Sequence, residues 1–218
     1  MGNKSFFLQV SREHYFSQKY NSLDRFQSYF YQIDSIIQTK PKKILEIGIG
    51  SGIVSTYLKS IGFYVKTCDI DHALNPDIVG DIRDLPFSDY SFDTVVSFEV
   101  LEHIPFSDVP SALKELARVT KRFVIVSIPF STVFFALLLR WSLPFTSRTI
   151  SCLFKIPRVF NIIKFDGIKN KEHYWEMGTR GYSYKKISTA IKKSFNIRRE
   201  FYSPTNPNHH FFVLEKKM

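Results

Sequence analysis

Residues 46–52 read Glu-Ile-Gly-Ile-Gly-Ser-Gly, with a carboxylate two positions ahead of three glycines, Gly48, Gly50 and Gly52, at alternate places. Glycine lets backbone approach a ligand without a Cβ in the way. A helix that begins just after such a turn also offers unpaired N–H groups and a positive dipole end. The dinucleotide fingerprint has the spacing G-x-G-x-x-G. Here the spacing is G-x-G-x-G, and Ile53 stands where the third fingerprint glycine falls. A branched side chain at that place obstructs a pyrophosphate, and Glu46 repels one. The same carboxylate suits a ligand that carries an ammonium or a sulfonium.

Two further carboxylates close short apolar runs, Asp69 in Cys-Asp-Ile-Asp (68–71) and Asp81 in Gly-Asp-Ile (80–82). An ionised Asp has two oxygens for two vicinal hydroxyls. Asp71 reads either as a ligand contact or as a helix N-cap, and Asp84 as a turn residue ahead of Leu85-Pro86. Glu102 and His103 have the chemistry of an acid–base pair, although a lone His is more often a satisfied structural residue. The stretch Glu-His-Tyr-Trp-Glu-Met-Gly (172–178) supplies the other candidates, His173 and Glu176. Its alternative reading makes Trp175 an anchor and His173 a surface residue. No G-x-S-x-G nucleophile and no Cys/His cluster at zinc spacing is present, so neither a covalent intermediate nor a metal is expected. Cys68 and Cys152 sit in apolar surroundings and read as reduced core residues.

The elements that position these groups follow from periodicity. Apolar and aromatic residues over 11–38 recur at three- and four-residue steps, which predicts a helix in two pieces broken near Asn21-Ser22. Ile-Leu-Glu-Ile (44–47) is a buried strand, and Ile53, Val54, Tyr57, Leu58 and Ile61 mark one face of a helix that Gly62 stops. Strands follow at 63–68, around 78–79, at 94–98 and at 123–128, with a helix over 108–119. Later, 183–194 reads as a helix, and 195–202 pairs with 209–216 in a hairpin. Alternating strands and helices between 44 and 128 imply a mainly parallel sheet with helices on both faces. The ligand of such a sheet lies beyond the carboxyl ends of its strands, beside the first one.

These motifs together resemble the class I S-adenosylmethionine-dependent methyltransferases, in particular the small type 11 group. The resemblance rests on 46–52, on Asp69-Ile70-Asp71, on Gly-Asp-Ile-Arg-Asp-Leu-Pro-Phe (80–87) and on Ser-Phe-Glu-Val-Leu-Glu-His-Ile-Pro (97–105). It covers about residues 40–130 and does not reach the substrate. It implies an α/β fold: a single Rossmann-like doubly wound sheet, mainly parallel, with a C-terminal antiparallel hairpin. It also implies S-adenosyl-L-methionine as cofactor, with the 48–52 turn around its methionine part and Glu46 supporting the loop or the amino group. Asp69 would take the ribose hydroxyls and Ile70 would pack on the adenine. Asp81 and the Ile82 N–H would meet the adenine edge, and backbone around Ser97 and Phe98 would line the methionine side. No catalytic residue is carried over; His173, Glu176 and His103 remain candidates.

The 218 residues suit one domain. We divide it into an N-terminal helical cap (1–40), a cofactor-binding core (41–128), an apolar and basic lid insertion (129–181), and a final helix and hairpin (182–218). The net charge of +10 is uneven: residues 1–120 carry 12 basic and 15 acidic side chains, whereas 121–171 carry 9 and 1. The segment 129–171 is open to three readings: a lid over the active site, a dimer interface, or a basic surface resting on a membrane. It is too short and broken to span a bilayer, and the N-terminus lacks a secretory pattern. The expected location is therefore cytoplasmic, with peripheral membrane contact under the third reading. The expected activity is methyl transfer to a small-molecule or lipid-linked acceptor. A nicotinamide-dependent oxidoreductase and a non-catalytic cofactor-binding protein are the alternatives. The basic second half leaves nucleic acid open, without an aromatic RNA-binding motif to support it, and the oligomeric state is open as well.

Overall fold

The computed structural model describes residues 11–131, 133–143, 146–156, 173–203 and 206–217. Helices α1 (Arg12–Phe16) and α2 (Leu23–Gln38) are separated by a turn, and the Ser22 hydroxyl caps α2 by accepting from the Arg25 N–H. Then come β1 (Lys43–Ile47), α3 (Ile53–Ser60), β2 (Tyr64–Asp69), β3 (Ile78–Val79), β4 (Phe92–Phe98), α4 (Val109–Val119) and β5 (Thr120–Pro129). A separate pair, β6 (Val133–Leu143) and β7 (Thr146–Ile156), precedes α5 (Tyr184–Ser194), β8 (Phe195–Tyr202) and β9 (His209–Lys216).

Seven strands form one sheet in the order β3-β2-β1-β4-β5-β9-β8. All pairs among β1 to β5 are parallel, while β9 runs antiparallel to both β5 and β8. Strand periodicity explains the two cores. Ile44, Val96, Ile125 and Phe211 face Tyr29 and Ile36 of α2 and Val54 and Leu58 of α3. Their neighbours Leu45, Val95, Val124 and Phe212 face Leu113 and Leu116 of α4 and Ile187 and Ile191 of α5. A sheet buried on both faces needs such continuous apolar strands, and each buried aliphatic side chain contributes roughly 1.5–3 kcal/mol. The order reverses at β1, so the chain crosses from one side of the sheet to the other between β3 and β4, leaving a crevice at the carboxyl end of β1.

The insertion after β5 is where sequence and structure part. No element was expected in 129–171, but 133–143 and 146–156 pair antiparallel from Val133 with Ile156 to Leu143 with Thr146 as a sheet of their own. Phe135, Leu137 and Leu139 alternate along β6 and are 64, 53 and 56% exposed; Ile150, opposite Leu139, is 50% exposed. Cys152, opposite Leu137, is exposed on this hairpin, which corrects its reading as a core residue; Cys68 is buried as expected. A long apolar run carries no period-2 signal, so the pairing was not legible. Residues 157–172 of the insertion lie outside the described residues. Among the described residues, no helix is long and apolar enough to cross a membrane.

Candidate active site

Strand β1 ends at Ile47, and the chain turns at once into a left-handed conformation. Gly48 has φ +78°, and its N–H donates to the Cys68 carbonyl at 2.9 Å. A Cβ on Gly48 would stand 2.3 Å from Cγ2 of Val100, so no larger residue fits. Gly50 has φ +51°, and a Cβ there would point at the Tyr15 ring, 3.4 Å away across the crevice. Gly52 stands behind them as the N-cap of α3 and does not line the crevice. Asp69, at the end of β2, braces the turn: one carboxylate oxygen accepts from the Ile49 N–H at 2.8 Å, the other from the Asp71 N–H at 2.9 Å. Burial raises the Asp69 pKa, against the pull of those two N–H groups. Asp71 in turn accepts from the Ala73 N–H at 2.8 Å and caps a short turn over His72–Leu74, as its N-cap reading expects.

The crevice is a cavity of about 540 Å³ that runs from β2 and β3 across β1 to β4 and β5. Six carboxylates line it, Glu46, Asp69, Asp71, Asp81, Glu99 and Glu176, against one guanidinium, Arg25, among the described residues. Glu46 is 4% exposed, and its Oε2 has no hydrogen-bond partner. Burial pushes its carboxyl up to about 8, against the opposing pull of nearby Ser55. Asp81 is already engaged: the Arg83 guanidinium grips both of its oxygens at 2.7–3.0 Å. Ile70, Ile82 and Phe98 line the cavity, whereas Ser97, one residue back on β4, is fully buried and does not reach it.

At the β4–β5 side, groups distant in sequence meet. A short turn over Leu101–His103 follows β4, and the His103 ring lies edge to face against His173, with centroids 4.9 Å apart. Nδ1 of His173 is 2.8 Å from Oε1 of Glu176, and all three of His103, His173 and Glu176 line the cavity. Trp175 anchors their segment: it is buried, and its Nε1–H donates to the Ile104 carbonyl at 3.1 Å. So the anchor reading holds for Trp175, while His173 faces the cavity rather than the surface. Glu102, fully buried beside them, has neither carboxylate oxygen paired. Burial, and then the nearby Glu99, raise its pKa well above the ordinary range.

Several cavity residues were not singled out from sequence. Tyr15 and Tyr20 close the side opposite the glycine turn, with rings 5.4 Å apart edge to face and Arg25 stacked 4.3 Å over Tyr20. Burial first, and then Asp69 and Asp71, push the Tyr15 hydroxyl up to about 12. The Tyr29 hydroxyl meets the Ser51 hydroxyl at 2.9 Å and ties α2 to the turn. His209, at the start of β9, meets Ser28 through Nδ1 at 2.8 Å and stands 3.7 Å from Glu99 through Nε2. These tyrosines had counted only as members of an apolar helix face; their position at the break between two helices was the usable signal. Of the described side chains of the β6–β7 hairpin, none lines the cavity.

The family described as "Methyltransferase domain" matches residues 45–127. A demethylmenaquinone methyltransferase of Streptomyces griseus is 33% identical over 139 residues, 55% of this chain and 59% of that one. The chain thus spans less than two thirds of the length of the curated relatives it matches. Among solved structures, an S-adenosylmethionine-dependent methyltransferase from Clostridium acetobutylicum aligns with a TM-score of 0.61 at 11% identity, covering 94% of this chain and 97% of that one. Magnesium protoporphyrin IX methyltransferase from Synechocystis, with S-adenosylhomocysteine bound, aligns at 0.57 and 15% identity, covering 88% and 82%. At those identities the two structures share the fold.

Proposed function

We propose that this chain, whose residues 45–127 match the methyltransferase-domain family, is a class I methyltransferase of the type 11 group and transfers a methyl group from S-adenosylmethionine to a small-molecule acceptor. The observation that carries this reading is the sign of the cavity: with Glu46 holding its proton near neutral pH and Asp81 paired with Arg83, the carboxylates of Asp69, Asp71, Glu99 and Glu176 still outnumber the one lining Arg, which suits a cationic ligand and opposes a pyrophosphate. The residues present fit the cofactor. Glu46 offers a buried, unpartnered oxygen, and Gly50 leaves open the space that a Cβ would fill toward Tyr15. Glu46 and the 48–51 backbone take the methionine end, and Asp69 and Ile70 the ribose and adenine. The Ile82 backbone and Asp81 meet the adenine edge, with Asp81 oriented by Arg83. Phe98 lines the methionine side.

When bound, the cofactor supplies an activated methyl group on a sulfonium. The residues of this chain align and enclose: Tyr15 and Tyr20 exclude water on one side, and His103, His173 and Glu176 form a polar wall on the other. Alignment of reacting groups lowers a barrier by up to about 7–11 kcal/mol. The finer version is a lipid-linked acceptor, with part of the insertion resting on a membrane. It is supported by the exposed apolar alternation of β6 and by the basic excess of 121–171. The name of the Streptomyces relative suggests demethylmenaquinone as the first acceptor to try.

The test is a cell extract, with and without added demethylmenaquinone, incubated with methyl-labelled cofactor and the purified chain and then read by mass spectrometry. One labelled product that depends on the chain supports the reading. Cofactor binding without any labelled product would leave a non-catalytic cofactor-binding protein in its place.

A further inference from the structure

The β4–β5 wall of the cavity gathers donors that the cofactor roles leave unused. Glu102 and His103 come from the turn after β4, and His173 from the segment ahead of α5; one ligating atom of each lies within 4.8 Å of the other two. Glu102 is fully buried with both oxygens unpaired, a costly state unless something takes its lone pairs. His173 has a built support, since its Nδ1 meets Oε1 of Glu176 at 2.8 Å. A carboxylate that accepts from Nδ1–H keeps the lone pair on Nε2, the arrangement found behind metal-bound imidazoles.

We infer that Glu102, His103 and His173 form a binding site for one divalent transition-metal ion, with Glu176 as the positioning residue of His173. Two imidazoles and a carboxylate suit Zn(II), Mn(II) or Fe(II) rather than Mg(II) or Ca(II), which prefer oxygen donors. Ligands about 2.1 Å from one ion stand roughly 3–3.5 Å apart, so the triad draws together on binding. No metal was expected from sequence because His103 and His173 are far apart along the chain and share no spacing motif; the fold brings them together.

Three protein ligands leave a coordination position open. His103 and His173 line the same cavity as Glu46 and Asp69, so that position is available to an acceptor oxygen. Resting on the methyl-transfer reading above, the site then narrows the acceptor to a hydroxyl or enol. The metal would ease loss of the O–H proton to water, and the methyl group would bond to that oxygen, or to the ring carbon that an enolate or a reduced quinone makes nucleophilic, as the S–C bond of the sulfonium breaks.

The untagged chain, freed of metal, is titrated with Co(II) and followed by its visible ligand-field bands; S-adenosylhomocysteine binding is measured separately by calorimetry. The expected result is one equivalent of Co(II), displaced by Zn(II). Glu102→Gln and His173→Ala each weaken Co(II) binding by at least about 30-fold, and Glu176→Gln by about 10-fold. Circular dichroism reports the fold of each variant, and His173→Ala decides if Glu102→Gln does not fold. Absence of saturable Co(II) binding in the wild type, or full affinity in folded His173→Ala, overturns the site. S-adenosylhomocysteine binding without Co(II) binding removes the metal and leaves the transfer reading intact. The reverse result removes the transfer reading and leaves the metal.

Discussion

Asp69 holds two backbone N–H groups at once, those of Ile49 in the glycine turn and Asp71 beyond β2. Hydrogen bonds to an ionised group contribute roughly 1.5–3 kcal/mol each. Asp69→Ala removes both this brace and the acceptor proposed for the ribose hydroxyls: the melting temperature should fall, and S-adenosylhomocysteine binding should weaken by at least about 10- to 100-fold, the value of one such bond, read by calorimetry on the folded variant; undiminished affinity would place the ligand elsewhere. Glu46 yields a pH dependence of definite sign. Its carboxyl titrates at about 8 in the fold and near 4.5 in the unfolded chain. Between those values the folded state keeps a proton that the unfolded state has lost, so stability falls as pH rises from 4.5 toward 8. Glu46→Gln removes that loss, so the ligand-free variant should match the wild type near pH 4.5 and melt progressively higher toward pH 8. A melting difference that does not change with pH would mean that Glu46 is ionised throughout. At this scale the sequence was informative where neighbours in space are neighbours in the chain, as with Glu46, Gly48 and Gly50. It was silent on Tyr15, Tyr20 and His209, which reach the cavity only through packing between elements.

The element that organises the site is the turn from β1 into α3. Its backbone can be neither straightened nor filled: Gly48 needs a positive φ, and its missing Cβ makes room for Val100. Gly48→Ala should lower stability by about 1–3 kcal/mol, read as a fall in melting temperature. Val100→Ala in the same chain should recover the part due to the clash but not the part due to φ. Gly50→Val has a different signature, since its side chain would point into the cavity: it should abolish S-adenosylhomocysteine binding, with a loss of stability from the positive φ that Val100→Ala does not recover. Equal binding by wild type and Gly50→Val would contradict the assigned position of the methionine end. The parallel strands and their helices were legible because two-sided burial leaves apolar runs of strand length between amphipathic helices. The β6–β7 hairpin was not: its described apolar residues Phe135, Leu137, Leu139 and Ile150 are exposed, so the burial that betrays a strand in sequence does not mark them.

Over the whole molecule, charge is divided between an acidic cavity and a basic stretch of sequence. A chain with ten more basic than acidic side chains lines its main cavity with acids, so the cavity attracts cations while the basic excess gathers after residue 120. If the insertion rests on anionic membrane, each basic residue near the surface contributes about 1 kcal/mol, and vesicle binding should fall sharply with salt. Deleting 132–165 should abolish both vesicle binding and turnover while leaving cofactor affinity in place. Salt-insensitive co-sedimentation, or none even at low salt, would assign the exposed apolar face of β6 to another role. The central claim is the identity of the ligand in the acidic cavity, and titration calorimetry of the purified chain with S-adenosylmethionine, S-adenosylhomocysteine and NAD tests it directly. A cavity with more acidic than basic lining groups, beside a G-x-G-x-G turn, predicts 1:1 binding of both sulfur ligands and far weaker binding of NAD, whereas tight NAD binding without either sulfur ligand would contradict it.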